Sequence, residues 1–292
     1  MSCSLGRSPT SRVSRGHNYG PSVIATMMPR HRILALHFPL LNRLSADAHF
    51  SFSMDITAAP LTDLPRVVSH VSGFGLELSG SVDSDGDQVT LALWSTFQAL
   101  TLPHLKELNF ERDWFNPSPR WDHDEFLAFS SRSSLHTSLT ALDIHIIISD
   151  EELLRCLAAL PLLNIMGISD CSGRRKNILI TDNLLRRLAW RADDSCLIPS
   201  LHLIFISSLF TFSDDAFCDF LTSRLIPGRR NDPRPEPFQA RVCWLAKRER
   251  EFSAEVSAQI TGFMEKGELG YRSAQDPDEP FDDPSYYSET SE

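Results

Sequence analysis

Four stretches in the middle of the chain share an apolar pattern of the form L-x-x-L-x-L. They are Leu105-x-x-Leu108-x-Phe110, Leu139-x-x-Leu142-x-Ile144, Leu163-x-x-Met166-x-Ile168 and Leu201-x-x-Ile204-x-Ile206. In each of them the last apolar positions alternate with other residues, and this period of two is typical of a strand with one buried face. The pattern therefore predicts four strands, which begin 34, 24 and 38 residues apart.

A second motif follows three of these strands: an apolar residue, then Ser or Thr, then Asp, then a helical run of apolar positions. Its copies are Ile148-Ser149-Asp150, Ile180-Thr181-Asp182 and Phe212-Ser213-Asp214, at a spacing of 32 residues. Ser and Thr are good helix N-caps, and an acid in the first turn is stabilised by the helix dipole. Glu152 completes a capping box with Ser149. The motif predicts three helices, and Asp122 is a weaker cap for a fourth that carries Phe126 and Phe129.

Strands alternating with capped helices make a series of βα repeats, which predicts an α/β fold with a parallel sheet. The spacing of the strands straddles the roughly 20–29 residues of a leucine-rich repeat. We therefore expect an irregular leucine-rich-repeat solenoid, in which the parallel sheet is curved and the helices lie on its convex side.

The pattern divides the chain into five segments. They are a disordered basic leader (1–22), degenerate N-terminal repeats (23–99), the leucine-rich-repeat core (100–228), a capping strand and helix (229–272) and an acidic disordered tail (273–292). Candidate strands of the degenerate repeats lie at residues 33–36 and 74–78. At the other end, residues 238–244 alternate like an edge strand, and Ser253 caps a helix that ends near Gly267. The alternative for the leader is a mitochondrial transit peptide, because it is rich in Arg and Ser and has no acid.

Charge is distributed unevenly along the 292 residues, of which 28 are basic and 38 acidic, for a net charge of -10. The first 46 residues carry six Arg and no acid, whereas the last 19 carry seven acids and no base. The remaining middle is acidic, and a nucleic-acid-binding domain is usually basic, so we expect no nucleic-acid partner. No apolar run reaches the roughly 18 residues of a membrane-spanning helix, so we expect no membrane partner either.

The six cysteines are scattered and include no close pair, which argues against a zinc site. In a long chain with no secretory leader they are expected to be reduced, which predicts a cytoplasmic or nuclear protein. Residues 83–87 (DSDGD) resemble a calcium loop, but the positions that should be Gly and the bidentate Glu are Gln88 and Trp94. Residues 121–125 (WDHDE) contain metal-competent side chains, which the first turn of a helix explains equally well.

No G-x-S-x-G, G-x-x-x-x-G-K or G-x-G-x-x-G motif is present, so no catalytic residue, metal ligand or cofactor is predicted. We therefore expect a non-enzymatic protein-binding scaffold. The alternative is a diverged hydrolase, or another enzyme, that lacks a recognisable motif.

The paired motif resembles the leucine-rich-repeat half of fungal F-box-like proteins. The resemblance covers about residues 100–270 and is carried by residues 138–141, 148–154, 180–185, 212–221, 238–245 and 252–269. It implies a substrate receptor, whose F-box docks on the adaptor of a cullin ubiquitin ligase while the repeats hold the target. An F-box opens with Leu-Pro, and the only candidate is Leu64-Pro65, which a Gly- and Asp-rich stretch follows. We therefore expect no ligase recruitment by this chain unless an F-box is present.

In strands of this pattern the residues between the apolar positions point out of the concave face. With Gly167 among them, they form adjacent rows and predict a binding surface for a protein target: Asn109, Glu111, Asp143, His145, Ser169, Phe205 and Ser207. Phe205 suits a protein partner because aromatic residues are enriched in interface hot spots, and Glu111 and Asp143 favour a basic target. The alternative is that the loop at residues 229–237 covers Phe205.

Overall fold

The alternation of strands and helices predicted from the sequence is present in the structure. The structure, a computed structural model, describes residues 23–25, 48–55, 64–79, 86–112, 120–170, 177–191, 196–225, 238–244 and 252–274. The predicted leader, the candidate strand at 33–36, the loop at 229–237 and the predicted tail from residue 275 onward lie outside these residues, whereas residues 273 and 274 of that tail belong to a strand. The predicted α/β class with a parallel sheet is confirmed.

Within the described residues, nine strands form one parallel sheet in which the spatial order follows the chain order. They are β1 (Val23–Ala25), β2 (His49–Asp55), β4 (Gly73–Ser79), β6 (Glu107–Arg112), β7 (Ala141–Ile144), β8 (Ile165–Ser169), β9 (Leu203–Ser208), β10 (Phe238–Trp244) and β11 (Leu269–Ala274). Two short strands, β3 (Val67–Val68) and β5 (Leu100–Thr101), form a separate parallel pair. The four strands predicted from the leucine pattern are β6 to β9, and the candidate strand at 74–78 is β4.

Six helices lie in the described part of the chain. They are α1 (Gly86–Ala99), α2 (His123–Arg132), α3 (Asp150–Ala158), α4 (Asp182–Leu188), α5 (Asp214–Leu225) and α6 (Ala254–Glu265). The predicted caps are present, since the side chains of Asp122, Ser149, Thr181 and Ser253 accept hydrogen bonds from first-turn amides. Ser213 does the same for α5, and the capping box of Ser149 with Glu152 is complete. Each helix packs against the next one in the chain.

The helices cover one face of the sheet, and the hydrophobic core lies between the two layers. Phe97 of α1 meets Phe110 of β6 with ring centroids 5.4 Å apart, and Phe220 of α5 meets Phe238 of β10 at 5.9 Å. All twelve apolar residues of the four leucine patterns are buried in this core. The opposite face of the strands has no described helix against it and is called the open face below.

The C-terminal end of the sheet differs from the prediction. The sequence predicts an edge strand at residues 238–244, but β10 lies between β9 and β11 and pairs with both. The helix α6 ends at Glu265 as expected, and Gly267 then adopts a left-handed conformation with φ of 69°. This turn, for which glycine has no steric penalty, lets the chain enter β11, an additional strand that the sequence pattern did not reveal.

Residues 64–71, the only F-box candidate, are extended where they form regular structure. Val67–Val68 pairs with Leu100–Thr101 as a strand, so this segment does not begin a helical domain. Among the described helices, none is both long and apolar enough to cross a lipid bilayer.

Candidate functional site

The open face carries the predicted row of residues in register. Asn109 pairs with Asp143, Asp143 with Gly167, and Gly167 with Phe205. The same row continues to Arg241 on β10, because this residue pairs with Phe205. Parallel strands lie about 4.8 Å apart, so these residues cross the sheet as one line of neighbours.

Asp143 and His145 form a contact on this face. The Nε2 atom of His145 lies 2.8 Å from Oδ1 of Asp143, and their side chains remain 26% and 40% exposed. The backbone amide of His145 donates to the carbonyl of Phe110 on the neighbouring strand, which fixes the position of this residue just beyond the end of β7. Both side chains are thus partly accessible to a ligand on the open face.

Three polar side chains of the open face lie flat over a glycine of the next strand. His49 covers Gly73, Asp143 covers Gly167, and Gln239 covers Gly270; a Cβ atom at any of these glycines would collide with that side chain. Lying across Gly73, His49 also approaches Glu107, with Nδ1 and Oε2 at 3.6 Å. Each glycine therefore leaves space that the polar side chain of the neighbouring strand fills, and this side chain lies across the strands rather than projecting away from the sheet.

Phe205 has a second neighbour that the predicted row did not include. Besides Gly167 on β8, the guanidinium of Arg241 on β10 lies over its ring, 5.2 Å from the centroid. A cation over an aromatic face is attracted by the ring quadrupole. Phe205 is partly exposed among the described residues. The loop at 229–237, which the alternative reading places over Phe205, lies outside them.

Ser169 is not part of the accessible surface, contrary to the prediction. It is only 1% exposed, and its hydroxyl donates to the carbonyl of Asp170. Ser207, its partner in register, is partly buried. Glu111 pairs in register with Glu77, which places its backbone at an open-face position; its side chain lies outside the described atoms.

Asp170, which the sequence did not single out, is a fully buried carboxylate at the end of β8. Its Oδ1 accepts hydrogen bonds from the amides of Leu179 and Ile180 at 2.8 and 2.9 Å. Its Oδ2 accepts from the Ser208 hydroxyl and the Leu209 amide at 2.9 and 2.8 Å. Burial raises the pKa of this carboxyl because desolvation outweighs the four hydrogen bonds. Asp170 therefore joins the turns that follow β8 and β9, and its role is structural.

The aspartates of the repeated motif link successive repeats. Asp150 Oδ2 accepts from the Thr181 hydroxyl at 3.0 Å, and Asp182 accepts from the amide and hydroxyl of Ser213 at 2.6 and 2.7 Å. The Ser253 amide donates to Asp214 at 2.7 Å. Each aspartate of the repeated motif thus holds the N-cap residue of the next helix. This ladder explains why the Ser/Thr-Asp pair recurs.

Four cysteines in the described residues are free thiols: Cys156, Cys196, Cys218 and Cys243. Burial in α3 raises the pKa of the Cys156 thiol to about 12, so this group stays protonated at neutral pH and is a poor nucleophile. Within the described ranges, no group of three His, Cys, Asp or Glu side chains is arranged to hold a metal ion. Most of the calcium-like loop lies outside those ranges, and Asp122 in the WDHDE stretch serves as the N-cap of α2.

Comparisons of the chain with protein-family models, with curated proteins and with solved structures found no match. The open face of the sheet is therefore the feature from which a function can be inferred.

Proposed function

We propose that the chain is a non-enzymatic scaffold that binds a protein target on the open face of its sheet. The observation that carries this proposal is the row from Asn109 to Arg241, in which one partly exposed aromatic ring lies between Gly167 and Arg241, with Asp143 and Asn109 further along the row. Interfaces commonly combine an aromatic anchor with a polar rim. In this proposal the function resembles that of the substrate-recognition half of an F-box-type ubiquitin-ligase receptor.

The same proposal includes a curved solenoid with the helices on its convex side. It is supported by the strand order, which follows the chain, and by the packing of each helix against the next. The hydrogen bonds of the motif aspartates also support it, because each of them joins two successive repeats and a solenoid is stabilised by contacts between neighbouring repeats. The free thiols support a reducing compartment, the cytoplasm or the nucleus.

Binding is expected to be lost when the aromatic anchor and the neighbouring carboxylate are changed together. Phe205→Ala removes the ring, and Asp143→Lys reverses the charge two strands away in the same row. A pull-down with the double variant should lose its specific partners, because the most energetic contacts lie near the centre of an interface. Circular dichroism checks that the variant is folded.

The matched control changes the same kinds of residue on the helical side. Met264→Ala plus Glu265→Lys alters one exposed apolar residue and one exposed acid in the last turn of α6. This control should keep every partner. If the Phe205 and Asp143 double variant also keeps every specific partner, the binding surface lies elsewhere.

The chain alone is not expected to co-purify with the adaptor and cullin of a ubiquitin ligase. Its only F-box candidate forms a short strand at Val67–Val68, whereas an F-box is a helical domain. The measurement is size-exclusion chromatography of the mixed proteins. A stable stoichiometric complex formed by residues 60–292 would show that residues 64–71 take part in docking.

A further inference from the structure

The charged positions of the open face are separated by sign. Acids occupy open-face positions on β2, β4, β6 and β7, and arginines occupy them on β10 and β11. By register, the acidic positions are Asp55, Glu77, Glu107, Glu111 and Asp143. The basic positions are Arg241 and Arg272, which pair with each other. His49 and His145 contact Glu107 and Asp143 at the acidic end, so the opposite signs lie at opposite ends of the sheet.

Between the two ends, the open-face positions of β8 and β9 carry no charge. They are Ile165, Gly167 and Ser169 on β8, and Leu203, Phe205 and Ser207 on β9. Ile165, Leu203 and Phe205 are each partly exposed, so the middle of the face presents apolar surface. Across the strands, the open face is therefore acidic up to β7, apolar on β8 and β9, and basic on β10 and β11.

From this order we propose that the open face binds an extended peptide segment of a partner, which crosses the strands and has Lys or Arg at one end, Asp or Glu at the other and a large apolar residue between them. The proposal rests on the proposed function and specifies its target. Charges arranged in this way attract the segment in one orientation and repel it in the other. They therefore fix the position of the peptide on the open face as well as its specificity.

The spacing of the strands sets the spacing of the target residues. Asp143 and Arg241 are three strands apart, which is about 14 Å at about 4.8 Å per strand. An extended chain covers that distance in about four residues. The basic and acidic residues of the target should therefore be about four to five positions apart, with the apolar residue nearer the acid because Phe205 is the neighbour of Arg241.

A peptide fits the area of the face better than a second copy of this chain. The nine strands average between five and six residues, which gives a face of roughly 800 Å², so a second copy would have to cover all of it to reach the roughly 800 Å² per partner of a standard stable interface. A peptide needs only part of that surface.

The test is selection from a displayed library of random 12-residue peptides, on the full-length chain and on full-length variants. Wild type should enrich peptides in which a base, an apolar residue and an acid occur in the predicted order and spacing. The best peptide, synthesised and measured by fluorescence anisotropy, should bind at least about tenfold more weakly to Asp143→Lys and to Arg241→Glu. The double variant Asp143→Lys plus Arg241→Glu, called the double charge swap, should select peptides with the opposite order of charges. The control variant Met264→Ala plus Glu265→Lys should select the same peptides as wild type.

Each contrary outcome has a different meaning. If nothing is enriched, or if the selected peptides bind Phe205→Ala as well as wild type, the proposed function itself fails. If binding depends on Phe205 but the peptides show no order of charges, this inference fails while the scaffold function stands.

Two other occupants of the open face would give different results. If wild type sediments as a dimer that Asp143→Lys or Arg241→Glu alone dissociates and the double charge swap restores, the occupant is a second copy. If neutralising the seven acids of the C-terminal 19 residues raises peptide affinity about tenfold or more, the occupant is the chain's own tail; either result overturns the inference.

Discussion

Truncation of Leu142 to Ala is expected to lower the free energy of unfolding by about 2–5 kcal/mol. Leu142 lies on β7, near the middle of the sheet, and is only 1% exposed beneath the helices. Its removal leaves a cavity that its neighbours cannot fill, because Leu108 and Met166 flank it in register on β6 and β8. Ile204→Ala on β9 should cost a similar amount. Urea unfolding followed by circular dichroism measures both.

The control for this prediction is the adjacent open-face residue. Asp143→Ala removes a side chain that is 40% exposed, and the expected loss is at most about 1 kcal/mol. Equal stability of Leu142→Ala and Asp143→Ala would contradict the assignment of the two faces of β7.

The strands and helices could be predicted because each is specified by local residues. The period of two in the leucine patterns determines which side chains are buried, and neighbouring parallel strands with the same pattern bring equivalent positions into register. The row of Asn109, Asp143, Gly167 and Phe205 follows from that phase alone. The helix starts follow from Ser149, Thr181 and Ser213 in the same way.

Interactions between repeats could not be predicted from such local patterns. The Asp of each Ser/Thr-Asp pair appears in the sequence as a first-turn acid, but its side chain also holds the cap of the next helix. Arg241 was missed on the open face although the alternation at residues 238–244 already places it opposite the buried side chains. The strand β11 was missed because Gly270 interrupts its weak pattern, and pairing with β10 defines it.

Ser169 shows where the period of two stops being informative. Its position in the strand predicts exposure, but the chain turns inward at Asp170, and the Ser169 hydroxyl bonds to that residue's carbonyl. The sequence signal at this point is a single acid in a polar segment, which does not distinguish a surface residue from a buried acceptor. Only the amides of the distant turns at Leu179 and Leu209 make the distinction.

Asp170→Ala should therefore be among the most destabilising changes, with an expected loss of about 3–5 kcal/mol. It leaves the amides of Leu179, Ile180 and Leu209 buried without their acceptor. Asp182→Ala is the control, because it also removes a carboxylate that accepts hydrogen bonds, from Ser213 and Arg186, but its side chain is 33% exposed and water can replace it. Urea unfolding at pH 7 should show at most about 2 kcal/mol for the control. A loss below about 1 kcal/mol for Asp170→Ala would contradict the structural role.

The pH dependence of the same site has a definite sign. Because burial raises the pKa of the Asp170 carboxyl above its ordinary value of 3.8, the folded state binds this proton more tightly than the unfolded state does. The part of the stability that comes from this tighter proton binding is therefore complete below pH 3.8 and is lost as the pH rises through the pKa in the folded state, whereas the hydrogen bonds that the carboxylate accepts remain. Asp170→Asn does not titrate, so the difference in unfolding free energy between wild type and Asp170→Asn should change in favour of the variant as the pH rises toward 7. A difference that moves the other way would mean that the four hydrogen bonds outweigh desolvation and hold the carboxylate ionised.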